Sequence, residues 1–420
     1  TVHTGLLEYK NVYRPARVIS YDKERGELVL HNYMDFDNLK DYVKISYELT
    51  QDGLLIGKGK LAEVSVVPHS EGKTNLQVNV PENGKCYLKL TYHLKKEMPL
   101  LEEDYILGFD EIEVSQKDAK CQLAEKWVEK TVTDSELQVS EDDTQIHIKG
   151  REFAYTIDRR TALFTEMKFA GREYLNHPME LNIWRAPTDN DMYIKSEWKK
   201  AHYDKAYTRA YTTEVVQGKH GVKITSHASV VAETVQKILD VTITWKIEAA
   251  GKIDADIAVT KDDEFPDLPR FGVRMFLDKK LSAARYFGMG PQESYCDKHQ
   301  AASHGLYQAN VDDLHEDYIR PQENGSHYDC EYVELNNSRY GIVVSAENAF
   351  SFNASYYTQE ELEEKTHNYE LTESDSVVFC VDYALNGIGS NSCGPVVLEQ
   401  YRFDDVLFRF QFTLIPYIKG

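Results

Sequence analysis

Apolar and polar residues alternate one by one over several short stretches of this chain. Val43–Leu49 alternates in this way and precedes an Asp-Gly turn, and Leu76–Val80 and Leu88–Leu94 repeat the pattern. A period of two residues is typical of strands with one buried face. Short strands separated by turns over about 100 residues predict an immunoglobulin-like β-sandwich over 11–115.

The alternation resumes after a polar, charged stretch over 116–140, which is predicted to be a linker that can add a strand. From 141 to 420 the pattern predicts a second unit of mostly antiparallel sheet. Its clearest strand signals are Ile146–Ile148, Leu239–Ile247, Ile253–Val259 and Phe408–Leu414. No βαβ rhythm is present, which argues against a parallel sheet and against a βα barrel.

Two short helices interrupt this pattern. Thr358 and Glu361 have capping-box spacing, in which the threonine hydroxyl accepts from the Glu361 N–H while the glutamate reaches back. This box predicts a helix to about Asn368, and its acidic run is interpreted as a solvated helix start favoured by the dipole, not as a metal site. A second helix is predicted over Ser196–Tyr207.

Composition narrows the classes of function. The formal net charge of −21 argues against nucleic acid and anionic membranes as partners, because a phosphate backbone requires a basic face. A neutral sugar or a protein is compatible with this charge. The hydrophobic fraction of 42% over 420 residues is enough for a sizeable core, and the length favours two or three domains.

Cysteine usage and hydropathy bear on location. The six cysteines are scattered without a C-x-x-C pair, which is typical of reduced thiols in a cytoplasmic protein. The chain has no apolar run of membrane-spanning length and opens without a signal peptide. The first residue, Thr1, suggests that the chain begins inside a longer protein.

The segment Trp184–Asp191 places an aromatic residue, an arginine, a proline and three short polar side chains within eight residues. Asp189, Asn190 and Asp191 are of the type that accepts backbone hydrogen bonds in turns. Arg185 can pair with a carboxylate through two hydrogen bonds. Both a rigid, self-bonded loop and a ligand-facing loop are compatible with this pattern, whereas the spacing does not match a calcium loop.

Three further segments carry glycines and polar residues. Phe287–Tyr295 contains a G-x-G that lacks the remaining features of a dinucleotide fingerprint, so we interpret it as turn glycines. Tyr318–Gly325 predicts a buried Arg320–Glu323 pair at a sheet edge. Gly387–Pro395 requires permissive backbone angles, and nothing in the sequence around its Cys393 indicates an activated thiol.

These four segments, in this order and at this spacing, resemble the C-terminal domain of the large bacterial β-galactosidases of glycoside hydrolase family 2. Upstream, Gly5–Lys10 and His31–Phe36 resemble the end of the family's barrel and the sandwich domain that follows it. The resemblance covers nearly the whole chain. It implies an all-β fold: an immunoglobulin-like β-sandwich followed by a large antiparallel supersandwich of the galactose-mutarotase type.

The resemblance also implies the bounds of the domains and which of them carries the catalytic residues. Residues 1–10 would end the catalytic barrel, 11–115 would form the sandwich, 116–140 the linker and 141–420 the C-terminal domain. The barrel, which carries the two catalytic glutamates of the retaining mechanism and the magnesium and sodium ligands, would then lie outside this chain. This chain would therefore hold no catalytic residue, metal or cofactor, and would be inactive alone.

The implied role of the C-terminal domain is structural, with loops that reach the active-site wall. The loop after the Asp-Asn-Asp motif, with Met192 and Tyr193, would form one part of this wall. Asn391 and Cys393 would form the other, and many relatives have a tryptophan where this chain has Cys393. The loop-bracing residues would be Arg185, Asp189, Asn190 and Asp191.

The complete protein is then predicted to be a cytoplasmic homo-oligomer that hydrolyses terminal non-reducing β-D-galactose residues, as in lactose. Its partner would be a catalytic barrel domain or a large subunit. Two alternatives stay open: a free-standing carbohydrate-binding module, which needs exposed aromatic residues, and an aldose epimerase. The epimerase needs a histidine facing a carboxylate, and His299, His304 and His327 lie in turn-like contexts.

Overall fold

The computed structural model describes residues 2–128 and 137–419, and they divide into two compact units. The first unit contains 1–123 together with Met289–Gln292 and His299–Tyr307. The second unit contains Ala124–Gly288, Glu293–Lys298 and Gln308–Gly420. Two short stretches of the later sequence therefore belong to the first unit.

The first unit is a sandwich of two antiparallel sheets. One sheet has the order β1-β2-β5 and the other has the order β4-β3-β6-β7. The strands are β1 (Ala16–Asp22), β2 (Glu27–Asn32), β3 (Val43–Gln51), β4 (Leu54–Lys60), β5 (Glu71–Asn75), β6 (Cys86–Leu94) and β7 (Ile106–Glu113), and the helices are α1 (Thr4–Val12) and α2 (Leu39–Tyr42). Alternate residues of both sheets, such as Leu28, Leu30, Leu88 and Leu90, share one core, so the predicted sandwich is confirmed.

One carboxylate joins several elements of the first unit. Asp110 on β7 accepts from the Arg14 guanidinium at 2.6 and 3.1 Å through Oδ1. Its Oδ2 accepts from the Val18 amide at 3.0 Å and from the Tyr92 hydroxyl at 2.5 Å. Burial and the neighbouring Asp110 hold the pKa of Tyr92 well above its usual value. Asp110 thereby ties β1, β6 and the segment after α1 to β7.

The second unit consists mainly of antiparallel strands, as predicted. The strands that follow in the chain are β8 (Gln138–Glu141), β9 (Gln145–Lys149), β10 (Phe153–Asp158), β11 (Leu163–Phe169), β12 (Arg172–Glu173), β13 (Leu175–Asn182), β14 (Tyr207–Gln217), β15 (Gly221–Val231), β16 (Leu239–Glu248), β17 (Ile253–Lys261), β18 (Arg270–Asp278), β19 (Ala283–Gly290), β20 (Ser303–Asn310), β21 (His327–Asn336), β22 (Tyr340–Ser355), β23 (Ser376–Leu385) and β24 (Leu407–Ile418). All of them belong to this unit except the end of β19 and the first part of β20, which fall in the first unit. The helices of the second unit are α3 (Glu125–Val128), α4 (Ile194–Lys200) and α5 (Gln359–Glu364). Short 3-10 turns lie at Asp189–Asp191, Tyr203–Lys205, Val311–Leu314, Asn368–Glu370 and Glu399–Tyr401.

The strands form a five-stranded and a 12-stranded sheet. The main path of the larger sheet is β13-β18-β23-β22-β24-β17-β16-β15-β14, and β21 branches from β22. β16 alternates buried and partly exposed residues as its sequence predicts. Its Trp245 is fully buried, packs edge-on against Phe164 and donates its indole N–H to Ala162 O at 2.8 Å. This tryptophan therefore joins β16 to the five-stranded sheet.

Some local predictions are corrected. Leu76–Val80 is not a strand, because the β2–β5 ladder ends at Asn75 although the next residues still alternate in burial. The Thr358 hydroxyl accepts from the Glu361 N–H at 3.1 Å, but the Glu361 side chain accepts from Thr372 and does not reach back. The helix that follows ends at Glu364, before Asn368.

Two other predictions meet the structure in part. The predicted helix over Ser196–Tyr207 is observed as α4 followed by a 3-10 turn. Of the predicted linker 116–140, residues 129–136 lie outside the described residues, and the rest contains α3 and the start of β8. Across the described ranges, no helix is both long and apolar enough to cross a membrane.

We expect Asp110→Asn to destabilise the first unit by about 2–3 kcal/mol. The asparagine NH2 group would face hydrogen-bond donors, since all three partners of Asp110 donate to it, and the charge that pairs with Arg14 would be lost. Urea denaturation of the chain measures this change. Asp104→Asn is the matched control, since Asp104 pairs with Lys44 at the surface, and the control should leave the midpoint unchanged. Equal effects of the two substitutions would contradict the role given to Asp110.

Candidate functional site

A buried ion pair fixes the first motif. Arg185 is fully buried and donates to Asp191 through Nη2 at 2.7 Å and Nε at 3.2 Å. Asp191 also accepts from the Thr188 amide at 2.9 Å, which closes a 3-10 turn over Asp189–Asp191. Burial opposes the charge of Arg185, but Asp191 outweighs this effect and raises the pKa of the guanidinium. The turn is therefore locked onto the residue beneath it.

The remaining donors of Arg185 reach the fourth motif. Its Nη1 donates to Asn386 O and its Nη2 donates to Gly387 O at 3.1 Å. Trp198 of α4 lies beside the guanidinium, 5.2 Å from its carbon to the ring centre. One arginine thus links two loops that are about 200 residues apart in the sequence.

A second arginine lies in the same buried network. Arg270, at the start of β18, donates to both oxygens of Asp382 at 3.1 and 2.5 Å and to Glu323 Oε1 at 2.9 Å. Arg270 and Asp382 have no exposed surface. Burial raises the pKa of Asp382 to about 6, although Arg270 acts in the opposite direction. Burial also opposes the charge of Arg270, and the two carboxylates outweigh it and raise that pKa.

Glu323 connects this pair to the first motif. Its amide donates to Ala186 O at 3.0 Å, and its Oε2 accepts from the Ala186 amide at 3.2 Å. The prediction that Glu323 pairs with Arg320 is wrong, because Arg320 is exposed and Glu323 pairs with Arg270. The guanidinium that pairs with the buried Glu323 carboxylate therefore comes from Arg270 of strand β18 and not from Arg320 in the same loop.

The first and fourth motifs also touch directly. Asn190 donates to Gly389 O at 2.7 Å, and its Oδ1 accepts from the Ser392 hydroxyl at 2.8 Å. Asp297 supports the same loop, since its carboxylate accepts from the Ile388 and Gly389 amides at 2.9 and 2.7 Å. Gly389 has a φ of +67°, which a side chain would strain. The fourth loop is therefore fastened from two sides.

The second and third motifs meet at Glu293. This buried carboxylate accepts from Lys298 at 2.6 Å, from the Tyr318 hydroxyl at 2.5 Å and from the Gly325 amide at 2.9 Å. Burial raises the pKa of Glu293, but Lys298 and these hydrogen bonds outweigh it, so the net pKa is lowered. Carboxylates thus join the first motif to the third and the second to the third, while Arg185 and Asn190 join the first motif to the fourth.

The residues predicted to form the wall lie on the two fastened loops. Met192 is 43% exposed and Tyr193 is 61% exposed, directly after the turn that Asp191 closes. Asn391 is half-buried and Cys393 is exposed, and Ser392 between them contacts Asn190. The loops that carry these residues therefore touch through Asn190 and Ser392.

The predicted bracing residues differ in what they hold. Asp191 and Arg185 brace the first loop from within, and Asn190 fastens it to the fourth loop. Asp189 instead contacts the third motif, with its amide donating to Gln322 Oε1 at 3.1 Å. The Asp-Asn-Asp sequence therefore divides its contacts among three segments, whereas the sequence predicted bracing of the first loop alone.

Sequence reasoning missed several members of this network. Arg270 begins β18, which also carries Arg274 and Asp278, and Asp382 is the one charged residue within the apolar strand β23. A charged residue in a buried strand needs a buried partner of opposite charge, so its presence in the sequence could have predicted an ion pair here. Glu293 and Asp297 carry no comparable signal, because carboxylates in loops are ordinarily solvated.

The site offers little nucleophilic or metal-binding chemistry of its own. Burial raises the pKa of Cys296 and of Cys380 to about 12, which keeps both thiols protonated. In the part of the chain that the structure describes, no three His, Cys, Asp or Glu side chains are grouped so that they could hold a metal ion. The arrangement instead holds loops in place and leaves part of them exposed.

Two protein-family models match this chain, each covering most of one unit. The family model for the β-galactosidase small chain matches residues 149–414, which is more than half of the chain. The chain belongs to the β-galactosidase small-chain family. The model for domain 4 of β-galactosidase matches residues 28–115, which contain most of the sandwich.

The curated relatives of this small-chain protein are longer than it is. β-Galactosidase from Actinobacillus pleuropneumoniae is 42% identical over 415 residues, which cover 98% of this chain and 40% of that protein. The β-galactosidase from Staphylococcus xylosus is 30% identical over 418 residues and is covered to 41%. The chain thus spans about two fifths of the length of these relatives.

Solved structures add little to this assignment. A galactose 1-epimerase from Lactobacillus acidophilus aligns with 69% of this chain at 8% identity and a TM-score of 0.38. A likeness at this level supports no conclusion about the activity of this small-chain protein.

We expect Arg270→Met to destabilise the second unit by about 3–5 kcal/mol, because two buried carboxylates lose the charge that they share. Urea denaturation is again the measurement. Arg409→Met is the matched control: Arg409 also pairs with an aspartate, Asp256, but is largely exposed, and its loss should leave the midpoint almost unchanged. A midpoint for Arg270→Met equal to that of the control would contradict the network.

Proposed function

We propose that this chain is the non-catalytic C-terminal portion of a retaining β-galactosidase, which removes terminal β-D-galactose from substrates such as lactose. In this proposal the chain completes the active site without supplying its acid or nucleophile. The observation that carries the proposal is that a chain matching the small-chain family holds two exposed loops together through the buried Arg185 and through Asn190.

The length of the relatives supports a missing catalytic part. The A. pleuropneumoniae protein contains more than half of its length outside the match. The strand pairings of both units here are antiparallel, such as β16 with β17 and β3 with β6, whereas a βα barrel is built from parallel strands. We therefore assign the catalytic carboxylates to a barrel domain or a large subunit.

The exposed parts of the two loops suit them to form a wall. Met192 and Tyr193 expose apolar surface on one loop, and Val396 and Leu398 do so after the other. Clustered apolar side chains on a surface are typical of binding sites. Because Asn190 binds Ser392, the loops would present this surface as one piece to the barrel and to the sugar.

Cys393 limits what the wall contributes to affinity. The family resemblance implies a tryptophan at this position, and its flat face would let a sugar ring stack. The thiol of Cys393 offers far less area. We therefore assign sugar contacts on this wall chiefly to Tyr193 and Asn391, with Met192 and Cys393 closing the side.

Further features of the complete enzyme follow from the same proposal. Magnesium and sodium would be held by the barrel, and the complete enzyme would be a homo-oligomer. We place it in the cytoplasm, in keeping with six cysteines that form no disulfide in the described structure. This chain would contact the galactoside only when the barrel is present and the active site is complete.

The two alternative functions have weaker support. An epimerase needs a histidine and a carboxylate that face a sugar, but the His304 ring that pairs with Glu111 is largely buried and stacks on Tyr87. His327 packs between Tyr286 and Phe352. A free-standing binding module would leave the family match and the partial coverage without an explanation.

Complementation tests the proposal. The purified chain should not hydrolyse a chromogenic β-galactoside, and adding the part of the A. pleuropneumoniae enzyme that this chain does not cover should restore turnover. In that assay Asn190→Ala should lower kcat/KM on the order of tenfold, because the two loops lose their direct contact and the wall shifts.

Two controls make the result decisive. The A. pleuropneumoniae part alone should be inactive. Asn176→Ala should complement like the wild type, since the exposed Asn176 side chain bonds to Asp375 and Ser376 and, among the described residues, to nothing in the two loops. Turnover by the purified chain alone would contradict the proposal. Full activity of the Asn190→Ala complex would contradict the role of the wall.

A further inference from the structure

A cavity of about 630 Å³ lies on one face of the second unit, where β19 pairs with β20 on one side and with β21 on the other. Each strand lines it with two residues spaced two apart: Gln308 and Asn310, Ala283 and Arg285, and Glu334 and Asn336. Residues with this spacing point to the same face of a sheet. The volume is within the range of roughly 300–1,000 Å³ that is typical of small-molecule sites.

Arg285 lies in this wall without a partner. Among the described residues its side chain makes no hydrogen bond and no ion pair, although Glu334 lies opposite it in the β19–β21 ladder. Its Nε is buried and unpaired, whereas its two Nη atoms keep accessible surface. A partly buried guanidinium with unused N–H groups is unfavourable. An anion that enters the cavity and accepts from the Nη groups is therefore favoured.

The two carboxylates that line the cavity are already engaged elsewhere. Glu334 is 4% exposed, and its oxygens accept from the Tyr332 hydroxyl at 2.9 Å and from the Tyr417 hydroxyl. Asp313 accepts from the Asn310 amide at 3.3 Å and from the Asn310 side chain at 3.0 Å. Neither carboxylate therefore takes up the N–H groups of Arg285.

Two lysines shift the balance of charge in the cavity. Lys419 donates to Asn336 Oδ1 and to Asn337 O, both at 3.0 Å, and an ammonium group has a third hydrogen to donate. Lys126 lies over the Trp127 ring, 4.9 Å from its centre. The described wall thus carries three positive charges against two negative ones, in a chain whose net charge is −21. A local excess of positive charge attracts anions and repels cations.

The donors of the cavity select among anions. A guanidinium offers parallel N–H groups that match two oxygens of a phosphate or a sulfate. The Gln308 side chain bonds to no described residue and offers a further donor. A carboxylate has only two oxygens, whereas donors from three side chains suit a tetrahedral oxyanion.

We infer that this cavity binds a phosphate-type oxyanion, either free or as a phosphate monoester, held by Arg285, Lys419 and Gln308. The two forms share the chemistry that the cavity recognises. The inference stands on this cavity alone and does not depend on the proposed part in galactoside hydrolysis.

Titration calorimetry on this chain, in a phosphate-free buffer of low ionic strength, tests the site with inorganic phosphate, sulfate and glucose 6-phosphate. At least one of them should bind with a Kd on the order of 1 mM. Acetate should bind more weakly, and D-glucose should not displace the oxyanion. Tighter binding of glucose 6-phosphate than of phosphate would assign the site to an ester, and the reverse to the free ion. Added sodium chloride should weaken binding, because salt screens the charges.

Variants locate the binding in this cavity. Arg285→Gln removes the charge and the parallel N–H groups, and should weaken oxyanion binding about tenfold. Arg285→Lys keeps only the charge and should fall between Arg285→Gln and the wild type. Lys419→Gln should also weaken binding, so that the test does not depend on one position. Since Arg285 bonds to no described residue, the urea midpoints of its variants should stay close to that of the wild type.

Arg209→Gln is the matched control. Arg209 is exposed on β14, with its guanidinium over the Tyr211 ring, and the loss of its charge should leave the oxyanion affinity unchanged. The inference would be overturned if none of the three oxyanions bound the wild type. It would also be overturned if Arg285→Gln and Lys419→Gln bound the oxyanion as tightly as Arg209→Gln.

Discussion

Two guanidinium groups, those of Arg185 and Arg270, are removed completely from water in the second unit. Desolvating a charge of this kind costs several kcal/mol unless ion pairs and hydrogen bonds replace the lost water. The replacements are Asp191, Asp382 and Glu323, together with the carbonyls of the fourth motif. The arrangement of the first, third and fourth motif segments follows from this requirement.

The two arginines are coupled through one short stretch of backbone. Ala186 follows Arg185 and exchanges two hydrogen bonds with Glu323, which in turn pairs with Arg270. The exposed ends of the first and fourth loops are thereby fixed to the core of the sheet. A rigid, exposed pair of loops is what an active-site wall requires, because misplacement of such groups lowers catalytic rates steeply.

Much of the fold could be predicted from the sequence, since strands such as β16 and β17 alternate regularly and bury one face. The predicted strand at Leu76–Val80 failed because alternation reports burial and does not report whether a ladder partner continues. The segments that carry the site could also be identified, since polar residues concentrate beside glycine and proline. The pairing of Glu323 with Arg270 could not, because it depends on contacts across 53 residues of sequence.

The second unit also contains a cavity that the two loops do not line. Trp184 and Arg185 are neighbours with different surroundings: Arg185 fastens the loops, while Trp184 lines a cavity beside Glu180 and Arg274. A single motif therefore contributes to loop anchoring on one side and to a separate cavity on the other.

The central claim is that buried charge couples the two loops, and amide hydrogen exchange of this chain tests it most directly. In Asp191→Asn the Arg185 pair is weakened, so amides of residues 386–393 should exchange faster by about an order of magnitude, although these residues are distant in sequence. Asp256→Asn, at the surface pair with Arg409, should leave that segment unchanged. Faster exchange confined to residues 188–193 would show that the loops are independent and would contradict the account.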